Sequence, residues 1–263
     1  MSLHAQLLKK TKPVRYKLDD WLYRRSGEGR RLEPLRNIYK GRPLLLVGNG
    51  PSLNETPLDA FAEIPAIGMN KIDLIFPRVA WRPSMIVCVN NVVVMQHAEV
   101  FRSSAIPIYL AWKSRWFARR GNADSIRYYN MSLDESFSTD ITERIGSGVT
   151  VTYMALQLAY FTGADPVIIV GVDHSFDKTG DHIYERRQGP DVNHFDPNYF
   201  SPGTVWGLPN LDESEVAYAR SREAFERAGR RIVDATVGGK LQTFEKIGID
   251  EAIALAASSR QEA

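Results

Sequence analysis

The sequence predicts an α/β fold: a mostly parallel sheet with helices on both faces and a long lid insertion. Three observations carry this reading. Short, nearly continuous apolar runs alternate with helical patterns from Pro43 onward. Strands of a parallel sheet read this way because crossover helices bury both of their faces. Turns rich in Gly and Asn close the runs, and one long segment, 174–209, breaks the rhythm. Composition is that of a globular chain, with 263 residues, 44% hydrophobic and 24% charged, which excludes disorder and low complexity.

Taken in order, Leu44 to Val47 reads as the first buried strand, closed by Gly48-Asn49-Gly50-Pro51. Pro65 to Met69 and Met85 to Val89 follow as strands, each ending at an asparagine, Asn70 and Asn90. Residues 91–103 form a helix, and Ile106 to Leu110 a short strand. After Gly146-Ser147-Gly148 the apolar spacing becomes helical through Phe161, and Pro166 to Val170 is another buried strand. A strongly helical stretch at 212–228, a late strand at Ile232-Val233 and a closing helix at 248–258 complete the pattern. Segment 174–209, rich in Pro, Gly, Asp and His, leaves the carboxyl end of a strand. Ligands of open α/β sheets bind in the crevice there, and such a long irregular loop is often a lid.

Charge is balanced in total at +2 but not along the chain. Residues 1–42 form a basic arm of 12 Lys and Arg against 4 Asp and Glu, which leaves the remainder acidic. With Leu7, Leu8, Trp21, Leu22 and Tyr23, this arm suits peripheral association with an anionic membrane, or packing on its own domain or a partner subunit in a homo-oligomer. No nucleic-acid-binding signature accompanies it. No apolar run approaches the ~20 residues of a membrane span, and the amino terminus lacks the apolar core of a secretion signal. The expected location is cytoplasmic, including the inner face of the membrane. The single cysteine, Cys88, excludes an internal disulfide and a cysteine-ligated zinc site. It is expected to be buried and inert.

Candidate site residues cluster at the predicted strand ends. Gly48, Asn49 and Gly50 let the backbone turn sharply or approach an anion, and Ser52 with Glu55 has capping-box spacing. Neither the dinucleotide fingerprint nor a P-loop is present. Asn49, Asn70 and Asn90 offer amides suited to a base edge, a ribose or a phosphate, and are also common turn formers. Ser147 and Gly148 open a helix and could hold a phosphate or carboxylate. Asp173 ends a strand at the crevice, beside His174. Asp173, His174, Asp177, Asp181 and His182 contain metal-ligand types at a spacing that matches no ligand motif, so no metal site is expected. Trp112, Lys113, Arg115, Trp116, Arg119 and Arg120 could face an acidic acceptor, a membrane or a partner.

Leu45 through Leu53, Met69-Asn70-Lys71, Val89-Asn90, Ser147-Gly148 and Val170 through Asp173 follow in an order that resembles bacterial sialyltransferases of glycosyltransferase family 42. The sequence also resembles the 6-hydroxymethylpterin diphosphokinase-like domain, which includes flagellin-modifying glycosyltransferases. The resemblance spans roughly residues 43–245. It implies a Rossmann-like nucleotide-sugar-binding domain at 43–263, with a lid at about 174–209 over a CMP-activated sugar. By the same resemblance Asn49, Asn70, Asn90 and Asp173 contact the nucleotide, Ser147 the sugar carboxylate or phosphate, and His194 is the catalytic base. The family's two lid tyrosines are replaced here by Ser175 and Asp181, which leaves Tyr184 as the nearby phenol. The function implied is transfer of a nonulosonic sugar to a glycan or protein acceptor without a metal cofactor. Two alternatives stand beside it: a diphosphokinase using Mg-ATP, and a non-catalytic nucleotide-binding module.

Overall fold

The computed structural model describes residues 16–118, 124–132, 134–180 and 183–258. Among these, eight strands form one parallel sheet. They are β1 (Leu44–Val47), β2 (Ala66–Met69), β3 (Met85–Cys88), β4 (Ile108–Ala111), β5 (Ile126–Tyr129), β6 (Val167–Val170), β9 (Ile232–Asp234) and β10 (Glu245–Lys246). Their order is β10-β9-β6-β1-β2-β3-β4-β5. The chain winds outward from β1 to β5, then returns to lay β6 on the other side of β1. A crevice therefore opens between the carboxyl ends of β1 and β6, the switch point at which such sheets bind ligands.

Period-two alternation sorts the side chains into two cores. Leu45 and Val47 join one face with Ile86, Cys88, Ile168 and Val170, while Leu44 and Leu46 join the other with Ile67, Val87, Val167 and Ile169. Helices α3 (Asn91–Ser103) and α7 (Ile249–Ser258) cover the first face. The second is covered by α5 (Val151–Phe161), itself overlaid by α6 (Leu211–Arg227). Sandwiched in this way, α5 is apolar on nearly every side. Cys88 is fully buried, and burial pushes its thiol up to about 12. Its burial is what the apolar run implies.

Sequence expectation and structure differ at the edges. Strand β5 was not anticipated, because Ile126-Arg127-Tyr128-Tyr129 is short and carries a charge. β10, only two residues long, has no sequence signal at all. Within 174–209 the chain forms an antiparallel hairpin of β7 (Tyr184–Arg186) and β8 (Val205–Gly207). Of the basic arm, residues 1–15 lie outside the described residues. Residues 16–26 form a helix, α1, followed by α2 (Glu28–Leu32). These residues are tied to the sheet: the Tyr23 hydroxyl donates to the Thr142 carbonyl, Arg115 pairs with Asp19 at 2.6 Å, and the buried Glu28 accepts the Tyr128 amide. Leu32 is wholly buried. Leu18, Trp21 and Leu22 stay exposed, as do Trp116 and Phe117 of α4 (Arg115–Ala118).

Candidate active site

The floor of the site is built from the β1 and β6 ends. The Gly50 amide donates to the Gly171 carbonyl, and the Gly48 amide to that of Val170. A Cβ on Gly50 would lie 1.7 Å from the Asp173 carboxylate, and one on Gly48 would lie 2.1 Å from the Gly171 carbonyl oxygen. Both positions demand glycine because two turns meet there without room for a side chain. Asp173 in turn accepts from Ser52 twice, from its amide at 3.0 Å and its hydroxyl at 2.7 Å. Ser52 therefore makes no capping box. It lies inside a short 3-10 turn, Pro51–Glu55, that has no side-chain cap, and its hydroxyl serves Asp173 instead.

The three asparagines are not equivalent. Asn49 is nine-tenths buried, and its Oδ1 has no hydrogen-bond partner. Asn70 adopts a left-handed backbone at φ 51°, and its Oδ1 is also buried without a partner. A desolvated acceptor left unpaired costs about 1–3 kcal/mol. Two of them at one crevice point to a ligand that supplies the donors. The Asn90 Oδ1, by contrast, accepts the Val92 amide at 2.9 Å and caps α3.

Ser147 and Gly148 border the opposite wall, but they do not open the helix. Thr150 is the cap of α5, its hydroxyl accepting the Thr152 amide. The Gly146 loop is instead held by the buried Gln157, which accepts the Gly146 and Ser138 amides and donates to the Gly146 and Tyr153 carbonyls. Sequence reasoning missed Gln157, whose polarity is hidden in an apolar helix.

Segment 174–209 is a packed cap. Phe195, Tyr199, Phe200 and Trp206 are buried. The Phe195 amide donates to the Asn49 carbonyl, Asn54 Nδ2 to the Phe195 carbonyl, and Lys71 Nζ to the Tyr199 carbonyl at 2.8 Å. Lys71 is itself buried, and desolvation lowers its pKa.

Within the cap His194 stacks flat on Tyr199, ring centroids 4.0 Å apart. Its Nδ1 lies 2.8 Å from Asp191 Oδ2, and the amides of Asn193 and Phe200 donate to the same carboxylate. Burial raises the Asp191 pKa, but the hydrogen bond and charge of His194, the Asn193 amide and Arg187 outweigh it and hold the carboxyl below its usual value. An ionised Asp191 fixes the proton on Nδ1, which leaves Nε2 as the nitrogen available to the cavity. Asp191 was not singled out by sequence, since an aspartate three residues before a histidine in a polar loop carries no distinctive signal.

These parts enclose a cavity of about 680 Å³, within the range typical of small-ligand sites. Gly48, Asn49, Gly50, Asn70, Asn90, Ser147, Gly148, Asp173, His174, Tyr184 and His194 all line it, and Ser52 stands behind. His174 is held by Glu215 at 3.0 Å and by the edge of Tyr218. Tyr184 sits at the exposed rim on β7. His97 lies outside the cavity, bonded to Asp73, and His4, Asp181 and His182 fall outside the described residues. Among the described residues no group of three His, Cys, Asp or Glu side chains is placed to hold a metal, and no helix is long and apolar enough to cross a membrane.

No protein-family model and no curated protein matches the sequence. Among solved structures, the fold is similar to that of the MAf glycosyltransferase from Magnetospirillum magneticum AMB-1, with a TM-score of 0.51 and 16% identity. The likeness covers 89% of this chain and 41% of that protein, so this chain spans less than half the length of its structural neighbour. At this identity it is the fold that is shared.

Proposed function

We propose that the protein transfers a glycosyl group from a nucleotide-activated donor, a CMP-linked nonulosonic sugar, to an acceptor hydroxyl. The observation that carries this reading is His194, held by Asp191, at the wall of a cavity whose floor holds two unpartnered amide oxygens. The structural neighbour, a glycosyltransferase, and the sequence resemblance point the same way. The Asn49 and Asn70 oxygens receive donors from the cytosine amino group or the ribose hydroxyls. His194 Nε2 takes the proton from the acceptor hydroxyl, whose oxygen bonds to the anomeric carbon. The bond from that carbon to the CMP phosphate breaks, and its electron pair leaves with the phosphate. Ser147, the Gly148 amide and the Tyr184 phenol are the donors assigned to that oxyanion. A base held in one tautomer by a buried carboxylate suits this step at neutral pH.

A thermal-shift panel of CMP, CDP, UDP, GDP and ATP, with and without Mg²⁺, tests the donor. A ligand at 100 times its Kd stabilises by about 2.7 kcal/mol. Stabilisation by CMP without metal is expected; a response confined to Mg-ATP would replace transfer with the diphosphokinase reaction. The arm's membrane role belongs to the same proposal. Arg25 lies over Trp21 and Arg115 over Trp116, both indoles exposed, a pairing suited to an anionic interface. Flotation with phosphatidylglycerol vesicles should fail for the Trp21→Ser, Trp116→Ser double variant, and equal flotation would remove this role.

A further inference from the structure

Beside the main cavity lies a second one of about 230 Å³, at the carboxyl ends of β4 and β5. Tyr16, Lys113, Met131 and Ser132 line both, so the two adjoin. Alone it falls below the usual size of a small-molecule site. It is a subsite.

We propose that this annex is the acceptor subsite, and that it takes the carboxylate or phosphate of an acidic sugar. The proposal rests on the glycosyl-transfer reading and deepens it. Charge is the first argument. The two carboxylates of the annex are already matched: Asp20 accepts from Arg24 at 2.9 Å and from Asn130 at 2.7 Å, and Asp19 is paired with Arg115. Lys17 and Arg144 also line the annex; among the described residues neither forms an ion pair, and Asp134, outside the lining, exerts a longer-range attraction on Arg144. The lining therefore holds cationic charge that its own carboxylates do not neutralise. An anionic group entering it gains charge-assisted hydrogen bonds, bidentate at Arg144.

The second argument is Trp112, which forms part of the wall. It is 5% exposed, and its Nε1–H has no hydrogen-bond partner. A buried indole donor without an acceptor is costly, and a sugar or carboxylate oxygen would satisfy it. The third argument is reach. His194 stacks on Tyr199, which is bonded to Lys71 just beyond β2, while the annex stands beyond β4 and β5. Two strand spacings separate β2 from β4, about 10 Å. The acidic group and the reacting hydroxyl thus belong to different parts of one acceptor. Of the basic-aromatic cluster flagged by sequence, Arg119 and Arg120 lie outside the described residues; among the described ones Trp112 and Lys113 line the annex, and Arg115 is turned to Asp19.

The test is ligand-observed NMR on the full chain, with and without saturating CMP. The probes are glucuronate, glucose 6-phosphate, glucose and inorganic phosphate. Both acidic sugars should bind, with glucose and inorganic phosphate each at least about tenfold weaker. Arg144→Ala and Lys17→Ala should each weaken the acidic sugars about tenfold, with Tm and CMP affinity unchanged, and Arg144→Lys should restore part of the loss. Equal binding of glucose, equal binding of inorganic phosphate, indifference to both variants, or no binding of either acidic sugar overturns the annex. Acidic-sugar binding in a protein that fails to bind CMP would overturn the donor reading while the annex stands.

Discussion

The floor and the cap of the cavity are held together in different ways. The floor is backbone on backbone: glycines at 48 and 50 let two strand-end turns touch, and Asp173 is consumed in tying one to the other through Ser52. The cap is held by side chains, with buried Tyr199 and Phe195 wedged over Lys71 and Asn49. Asp173 and Asp191 show the contrast most clearly. Each is an aspartate that accepts from backbone amides, yet Asp173 fixes the floor and Asp191, behind the cavity wall, fixes the His194 ring. A rigid floor suits recognition, and a cap with its own small core suits placing the reacting group. Damage to the two regions should therefore separate into lost affinity and lost turnover.

The largest separation is expected at His194. His194→Ala should lower turnover by roughly 10²–10⁴-fold, the usual worth of general acid–base catalysis, with CMP affinity by calorimetry nearly unchanged. A variant that loses CMP binding instead would place His194 on the nucleotide. Asp191→Asn comes next, lowering kcat by about 10–10³-fold through loss of the fixed tautomer. Its second signature is in stability. A carboxyl held below its unfolded value of about 3.9 stabilises fully above that pH and loses its contribution as pH falls through the folded pKa. Wild type should lose stability below about pH 4 more steeply than Asp191→Asn, measured by thermal melts from pH 3 to 7. Parallel curves would show that Asp191 carries no such coupling.

On the floor, Asn49→Ala should raise the Kd for CMP about tenfold and leave kcat at saturation intact. Because it also removes a buried acceptor with no partner, the ligand-free protein should melt no lower than wild type. A fall in Tm of several degrees would mean that Asn49 is structural, and the floor would then lose its claim to recognition.

Much of this division was legible in the sequence. The apolar runs located six of the eight sheet strands, because a strand buried on both faces has no alternation to confuse it. The irregular segment 174–209 was visible as lost rhythm, and its hairpin was not, since Tyr184-Glu185-Arg186 is polar and exposed. The floor residues stand in glycine and asparagine turns, a local signal, so eleven of the twelve candidates line one cavity and the twelfth, Ser52, braces it. What escaped were partners defined only by tertiary contact. Asp191, Gln157 and Lys71 resemble ordinary loop or surface residues until folding buries them.

The smallest effect expected is at Asn90, and it tests whether the floor asparagines act as a set. The sequence resemblance treats Asn90 like Asn49, while the structure spends its Oδ1 on the first turn of α3. Removing such a cap costs typically about 1 kcal/mol, so Asn90→Ala should lower stability by that amount in urea unfolding. Asn90→Asp keeps the capping oxygen and adds a charge that the helix amino terminus favours, so it should recover the stability. The amide Nδ2 is absent from both variants. If CMP affinity follows stability and recovers in Asn90→Asp, Asn90 serves the floor only by starting the helix. If stability recovers while affinity stays low, the amide reads the nucleotide directly and stands beside Asn49 as a recognition residue. Under the proposed mechanism neither result should alter turnover at saturating donor.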